Sequence, residues 1–173
     1  MSRASRARAH DLAALADHVA QWARWAAAHE QQSVVCPPIA TFMTDRSAAM
    51  DNMANGVAIS VDVDEADPRE SRRVLTGLLG EPTVVVQTGS VWVDPRTGKS
   101  VPKIHMHWRL SEPTTTPAEH ARLRGARRLA AVRVGADRGL APPVHPIRGP
   151  GSLNRKASPA LAVIETIDAD RVA

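Results

Sequence analysis

The sequence predicts an α+β fold: a split β-α-β sheet with helices over one face and a helical extension in front of it. Three observations predict it. Apolar and polar residues alternate in "GVAISVDVDE" and "PKIHMHWRL", the period of strands whose successive side chains point to opposite faces. Two other segments, "PRESRRVLTGLLG" and "TPAEHARLRGARRLAAVRVG", start with Pro in the first turn and end on Gly, as helices do. After a helical lead-in the elements run β-α-β-β-α-β, the order of ferredoxin-like and RNA-recognition-motif-like sheets, which leave one face free for a site.

A chain of 173 residues has room for one domain with a real core and is short for two. Residues 11–173 are therefore taken as one domain with its motif-bearing core at 56–168, and residues 1–10 as a basic, disordered arm. Lys and Arg number 22 against 18 Asp and Glu, a formal charge of +4 that suits a polyanionic partner without proving one. One cysteine, Cys36, excludes internal disulfides and any zinc site built from several cysteines, and fits a reducing compartment. No apolar run approaches the roughly 18 residues of a membrane span, so a cytoplasmic protein with no membrane partner is expected.

The elements follow in order. The arm "MSRASRARAH" reads either as a solvated tail or as a segment that touches nucleic acid. In "DLAALADHVAQWARWAAAHEQQ", Leu12, Leu15, Val19, Trp22 and Ala26 recur at helical spacing behind an Asp11 cap. Trp22 lies on that stripe with Trp25 beside it, so both are expected to pack instead of binding a base. "CPPIATFMTDRSAAMDNMANG" reads as irregular, with a short helix near Ser47 to Met53.

In the first strand Val61 and Val63 face one side while Asp62 and Asp64 face the other, about 7 Å apart by the strand rise. Carboxylates that close repel, and a divalent cation between them turns repulsion into ligation. Magnesium suits such a pair, because it takes one or two carboxylates and completes its shell with water and phosphate oxygens. An acidic strand end running into a turn, with Glu65 and Asp67 following, is the other reading. The helix from Pro68 to Gly80 and the strand "PTVVVQTG" come next, then a hairpin tip, "DPRTGKS". "TGKS" is no phosphate-binding P-loop: the Gly required five positions before Gly98 is Val93, and no helix opens there.

In "PKIHMHWRL", Lys103, His105, His107 and Arg109 share one face and Ile104, Met106, Trp108 and Leu110 the other. The following helix carries Arg122, Arg124, Arg127, Arg128 and Arg133, which either contact nucleic-acid phosphates, Arg124, Arg127 and Arg128 foremost, or form a solvated face. "HPIRGPGSLNRK" then joins His145, Arg148, a Gly-Pro-Gly turn, Ser152, Asn154, Arg155 and Lys156: Gly and Pro bring backbone close to a ligand, Arg forks onto phosphate oxygens and Lys adds a point charge. A triphosphate or nucleic-acid backbone fits, as does a solvated loop. The last strand is "LAVIETI".

An Asp-x-Asp strand, a Lys-x-His-x-x-Trp-Arg-Leu strand and the "HPIRGPGSLNRK" ending, in this order over Gly56 to Lys156, resemble the archaeo-eukaryotic primase superfamily, above all its plasmid and phage branch of RepB-like primase-polymerases. The resemblance implies a modified RNA-recognition-motif-like sheet and an enzyme that joins nucleoside triphosphates on a single-stranded DNA template with Mg²⁺ or Mn²⁺. A role in plasmid, phage or mobile-element replication, with a replicative helicase domain or protein alongside, goes with it. Residue by residue, it makes Asp62 and Asp64 catalytic metal ligands, sets Lys103 and His105 at the incoming nucleotide's phosphates, and lands the family's Arg-x-Pro-Gly-Ser segment on Arg148, Pro150, Gly151 and Ser152, with Asn154 and Lys156 beyond as nucleotide contacts. The family's third acid, about six positions before that Arg, corresponds to Pro142; Asp137 is the nearby acid that would replace it. Two rivals remain. A noncatalytic primase-fold nucleic-acid binder would not need that acid. A rolling-circle initiator or relaxase also carries His-hydrophobic-His, but it cuts DNA with a tyrosine, and the chain has none.

Overall fold

The computed structural model describes residues 12–29, 39–156 and 158–173, so the basic arm, the Asp11 cap and Cys36 lie outside the described residues. Helix α1 (Leu12–Ala28) buries Ala23 and Ala26, and half-buried Trp22 and Trp25 meet edge to face at 5.3 Å. Strand β1 (Ala40–Phe42) pairs with the start of β2 (Met53–Val63), and the short helix expected between them is one 3-10 turn, Met50–Asn52. Helix α2 (Pro68–Leu79) begins where the Asp67 carboxylate accepts the Arg69 N–H and ends at Gly80. Strands β3 (Val84–Val93) and β4 (Ser100–Thr114) form the hairpin. Its tip is held by Asp94, whose carboxylate accepts the Arg96 N–H and the Thr97 hydroxyl, both at 2.8 Å, so "TGKS" is a turn. Helix α3 (Pro117–Val134) opens with a Thr116–Glu119 capping box. The chain finishes through a two-stranded ribbon, β5 (Leu153–Asn154) and β6 (Ala160–Leu161), and β7 (Val163–Ile167).

The main sheet has the order β1-β2-β4-β3-β7 with every neighbouring pair antiparallel. Strands β2 and β3 are therefore parallel with β4 inserted between them, the split β-α-β arrangement. The last strand departs from the ferredoxin-like order, which would put it beside β2. That edge is held by β1, and α3 and the 3-10 turn after it pack along β2. The returning chain crosses the polar face, seats its ribbon on β3 and adds β7 to the β3 edge. Arg72 of α2 fastens β7 there through Glu165, at 2.6 Å.

The alternation read in the sequence separates the two faces. Ile59, Val61 and Val63 of β2, Val85 of β3, and Ile104, Met106 and Trp108 of β4 join Leu75 and Leu123 in one core beneath the helices. Each large apolar side chain buried there contributes roughly 1.5–3 kcal/mol. Trp108 satisfies its indole N–H on the Gly80 carbonyl at 2.9 Å, which lets its ring stay in the core. No helix among the described residues is long and apolar enough to cross a membrane.

Candidate active site

The opposite face is polar, and register decides which side chains meet. Asp62 of β2 lies opposite His105 of β4, which lies opposite Val86 of β3; one pair along, Ser60 faces His107. His105 Nε2 is 3.2 Å from Asp62 Oδ1, and Lys103 Nζ is 3.6 Å from Asp64 Oδ1. His107 is buried and shares a 2.9 Å hydrogen bond with Ser60 Oγ. Burial pushes its pKa down to about 3, with the charges of His105 and Arg127 acting in the same direction, so the ring is neutral near pH 7. His107 is thus a hydrogen-bonded strand histidine beneath the site.

Above His105 the sheet opens into a cleft of about 170 Å³, smaller than the roughly 300–1,000 Å³ of pockets that enclose a whole drug-sized ligand. Asp62, Asp64 and His105 form one side and Thr88 and Ser90 of β3 another. The segment after α3 brings Asp137, His145, Pro146, Ile147 and Arg148, and the ribbon brings Asn154 and Lys156. Gly89 explains how the ribbon comes so close. It has φ +74°, the β3–β4 register shifts around it, and a Cβ there would stand 2.6 Å from the Ala160 carbonyl oxygen.

The cleft thus collects Asp62, Asp64, Asp137, His105, Arg148, Asn154 and Lys156, while Lys103 stands beside it on Asp64. Others expected at the site are placed elsewhere or already engaged. Ser152 is fully buried and donates its hydroxyl to the Gly149 carbonyl, closing the Gly-Pro-Gly turn instead of facing the cleft. Asn154 spends its amide N–H groups on the Thr88 carbonyl (3.1 Å) and Ser90 Oγ (2.6 Å), and its oxygen accepts the Lys156 N–H at 3.1 Å. It clamps ribbon to sheet and has no donor left for a nucleotide.

Arg124 and Arg128 are exposed on α3, but Arg127 is fully buried, so its expected contact with nucleic acid is corrected. Its position four after Leu123 and three before Ala130 puts it on the helix face that packs on the sheet. Its guanidinium nitrogens have no hydrogen-bond partner, and burial lowers its pKa to about 10.

Sequence reasoning missed Thr88 and Ser90 and left His145 without a role. Thr88 and Ser90 occupy alternate positions in "QTGS", a signal obscured by the intervening bulge at Gly89.

Two carboxylates two residues apart, Asp62 near the end of β2 and Asp64 just past it, are a hard oxygen donor set suited to Mg²⁺ or Mn²⁺. Asp62 Oδ1 is buried and receives no hydrogen bond, so the pair fits such an ion. A third ligand fits less well. Asp137 shares the cleft, but its Oδ1 accepts the Gly139 N–H at 2.7 Å, and no group of three His, Cys, Asp or Glu residues able to hold a metal occurs among the described residues.

No family model matches the sequence, and no curated protein is significantly similar to it. Solved structures are similar. The AEP domain of the primase-polymerase of cyanophage S-2L superposes with a TM-score of 0.53 at 19% identity, over 75% of this chain and 62% of its own. The primase RepB′ superposes with a TM-score of 0.59 at 16% identity, over 92% of this chain and 46% of its own. The fold is that of an archaeo-eukaryotic primase. The chain spans less than two thirds of either structure, and the primase fold accounts for the sheet and helices without fixing the chemistry.

Proposed function

We propose that the chain is a metal-dependent, template-directed nucleotidyltransferase, the primase-polymerase domain of a plasmid, phage or mobile-element replication system. The observation that supports this reading is one cleft that gathers Asp62, Asp64 and Asp137 with His105, Arg148 and Lys156. Carboxylates facing cations across a cleft are what a triphosphate and its counter-ion require.

A divalent cation held by Asp62 and Asp64 would neutralise phosphate oxygens and lower the pKa of the attacking 3′-hydroxyl. The remaining work belongs to the chain. Arg148 and Lys156, with His145 beside them, bind the triphosphate from the loop side, and Arg148 is steadied by donating to the Leu153 carbonyl at 3.4 Å. His105, on the neighbouring strand 3.2 Å from Asp62 Oδ1, meets the incoming nucleotide's phosphates from the sheet side. The 3′-oxygen bonds to the α-phosphorus, its proton is released, and the bond to pyrophosphate breaks. Rate comes from alignment and charge neutralisation. Exposed Arg124 and Arg128 supply charge for the backbone of a single-stranded template.

A second reading, a primase-fold protein that binds nucleic acid without turnover, is favoured by one observation: three carboxylates line the cleft, yet no three-ligand metal group forms among the described residues. One experiment separates the two. The protein is incubated with Mn²⁺ or Mg²⁺, a single-stranded template and labelled nucleotides, beside an Asp62→Ala/Asp64→Ala double variant. Product from the unaltered chain alone is the expected result. Equal product from both excludes this site, and no product from either, with salt-sensitive DNA binding retained, selects the second reading.

A further inference from the structure

The carboxylate floor and the cationic loop leave one part of the cleft uncharged, on β3. Thr88 is 3% exposed, lines the cleft, and its hydroxyl has no hydrogen-bond partner. An unpaired buried hydroxyl is a cost that folding alone does not explain. Ser90, next on the same wall, accepts from Asn154 Nδ2 at 2.6 Å, which leaves its own proton to donate. The amide of Asn154 is consumed in holding both positions, since it also donates to the Thr88 carbonyl. The left-handed Gly89 between them lets the strand bulge so that both residues line one wall.

Position narrows what such hydroxyls bind. Asp62, His105 and Val86 form one row across three strands, and Thr88 lies two residues beyond Val86, so the hydroxyl wall stands two strand spacings from the carboxylates, roughly 10 Å. Phosphates belong among the cations, and the exposed Pro146 ring gives a base an apolar edge to pack against. What remains for two neutral hydroxyl donors is the neutral hydroxyl-bearing portion of the ligand.

We propose that Thr88 and Ser90 bind the ribose hydroxyls of the incoming nucleotide and that Thr88 gives the site a preference for ribonucleotides. This rests on the nucleotidyltransferase reading and adds a substrate class to it. A site built around a hydrogen bond to a substrate hydroxyl rejects the analogue lacking it, because its own polar group is then stranded.

The test is equilibrium binding of ATP and of dATP, each with Mn²⁺, to the whole chain and to Thr88→Val, a change that keeps shape and removes the hydroxyl. The unaltered chain should bind ATP more tightly than dATP. Thr88→Val should weaken ATP about three- to tenfold, the worth of one hydrogen bond, and move dATP less than about twofold. Thr88→Ser should restore the difference, which a purely structural role would not produce. Equal affinity for ATP and dATP in the unaltered chain, or an equal loss of both in Thr88→Val, overturns the sugar assignment and leaves the nucleotide site standing. Failure of the unaltered chain to bind either nucleotide overturns both.

Discussion

Strand β4 carries two different chemistries on its two sides. Ile104, Met106 and Trp108 point into the core beneath the helices, while His105 and His107, one residue out of phase, are also buried on the other face, His105 between Val86 and Asp62 and His107 beside Ser60. Apolar burial there is redundant and self-supporting. Polar burial depends on single contacts such as Ser60–His107, and some atoms, among them His105 Nδ1 and Asp62 Oδ1, have no hydrogen-bond partner. The difference teaches that stability and ligand chemistry occupy alternate residues of one strand, so substitutions one position apart should have separable effects.

The largest effect is expected on the apolar side. Trp108→Ala should cost about 3–5 kcal/mol, read as a lower denaturant midpoint at unchanged m-value, because it removes a fully buried ring and its bond to Gly80. Across the strand pair, Asp62→Asn should leave the midpoint where it is or raise it, while lowering nucleotide incorporation about 10²–10³-fold. A parallel fall of activity and midpoint in Asp62→Asn would mean that the two faces are not separable.

The contrast between the faces also shows what is legible in the sequence. Period-two alternation is a local signal, so it sorts Val61 and Val63 against Asp62 and Asp64, and Ile104 and Met106 against His105, from the residues alone. Longer-range features leave no such trace. Nothing local says that the chain after α3 rounds β2 and delivers β7 to β3, or that Ser152 turns inward to Gly149. The burial of Arg127 is legible in its helical phase with Leu123 and Ala130, yet the run of arginines around it points to phosphate binding, and the phase wins. Thr88 and Ser90 escape because a bulge interrupts the period that would have exposed them.

A smaller effect sharpens the contrast through pH. His107 is held neutral with its pKa at about 3 against 6.5 in the unfolded chain, so its contribution to stability is complete above pH 6.5 and is lost as pH falls from there toward 3. Between pH 7 and pH 5 the unfolding free energy should drop by about 2 kcal/mol from this group, because the unfolded state takes up a proton that the folded state refuses. His107→Gln should flatten that part of the profile, whereas Met106→Leu on the other face should lower or raise the whole curve without changing its slope.

The smallest effect concerns α3, whose two faces repeat the lesson in helical form. Arg124 and Arg128 project outward, four residues apart, and Arg127 projects inward with no hydrogen-bond partner for its guanidinium. If the exposed pair meets the phosphates of a single strand, Arg124→Ala/Arg128→Ala should reduce the slope of log K against log salt by about 1.4, near 0.7 for each phosphate no longer neutralised, with no change in midpoint. Arg127→Met should do the reverse: the slope stays, and stability holds or rises, because a desolvated cation is replaced by a side chain the core accepts. A change of salt slope in Arg127→Met would show that the inward arginine reaches the nucleic acid after all, and that burial in the free protein conceals a phosphate contact made only when the strand is bound.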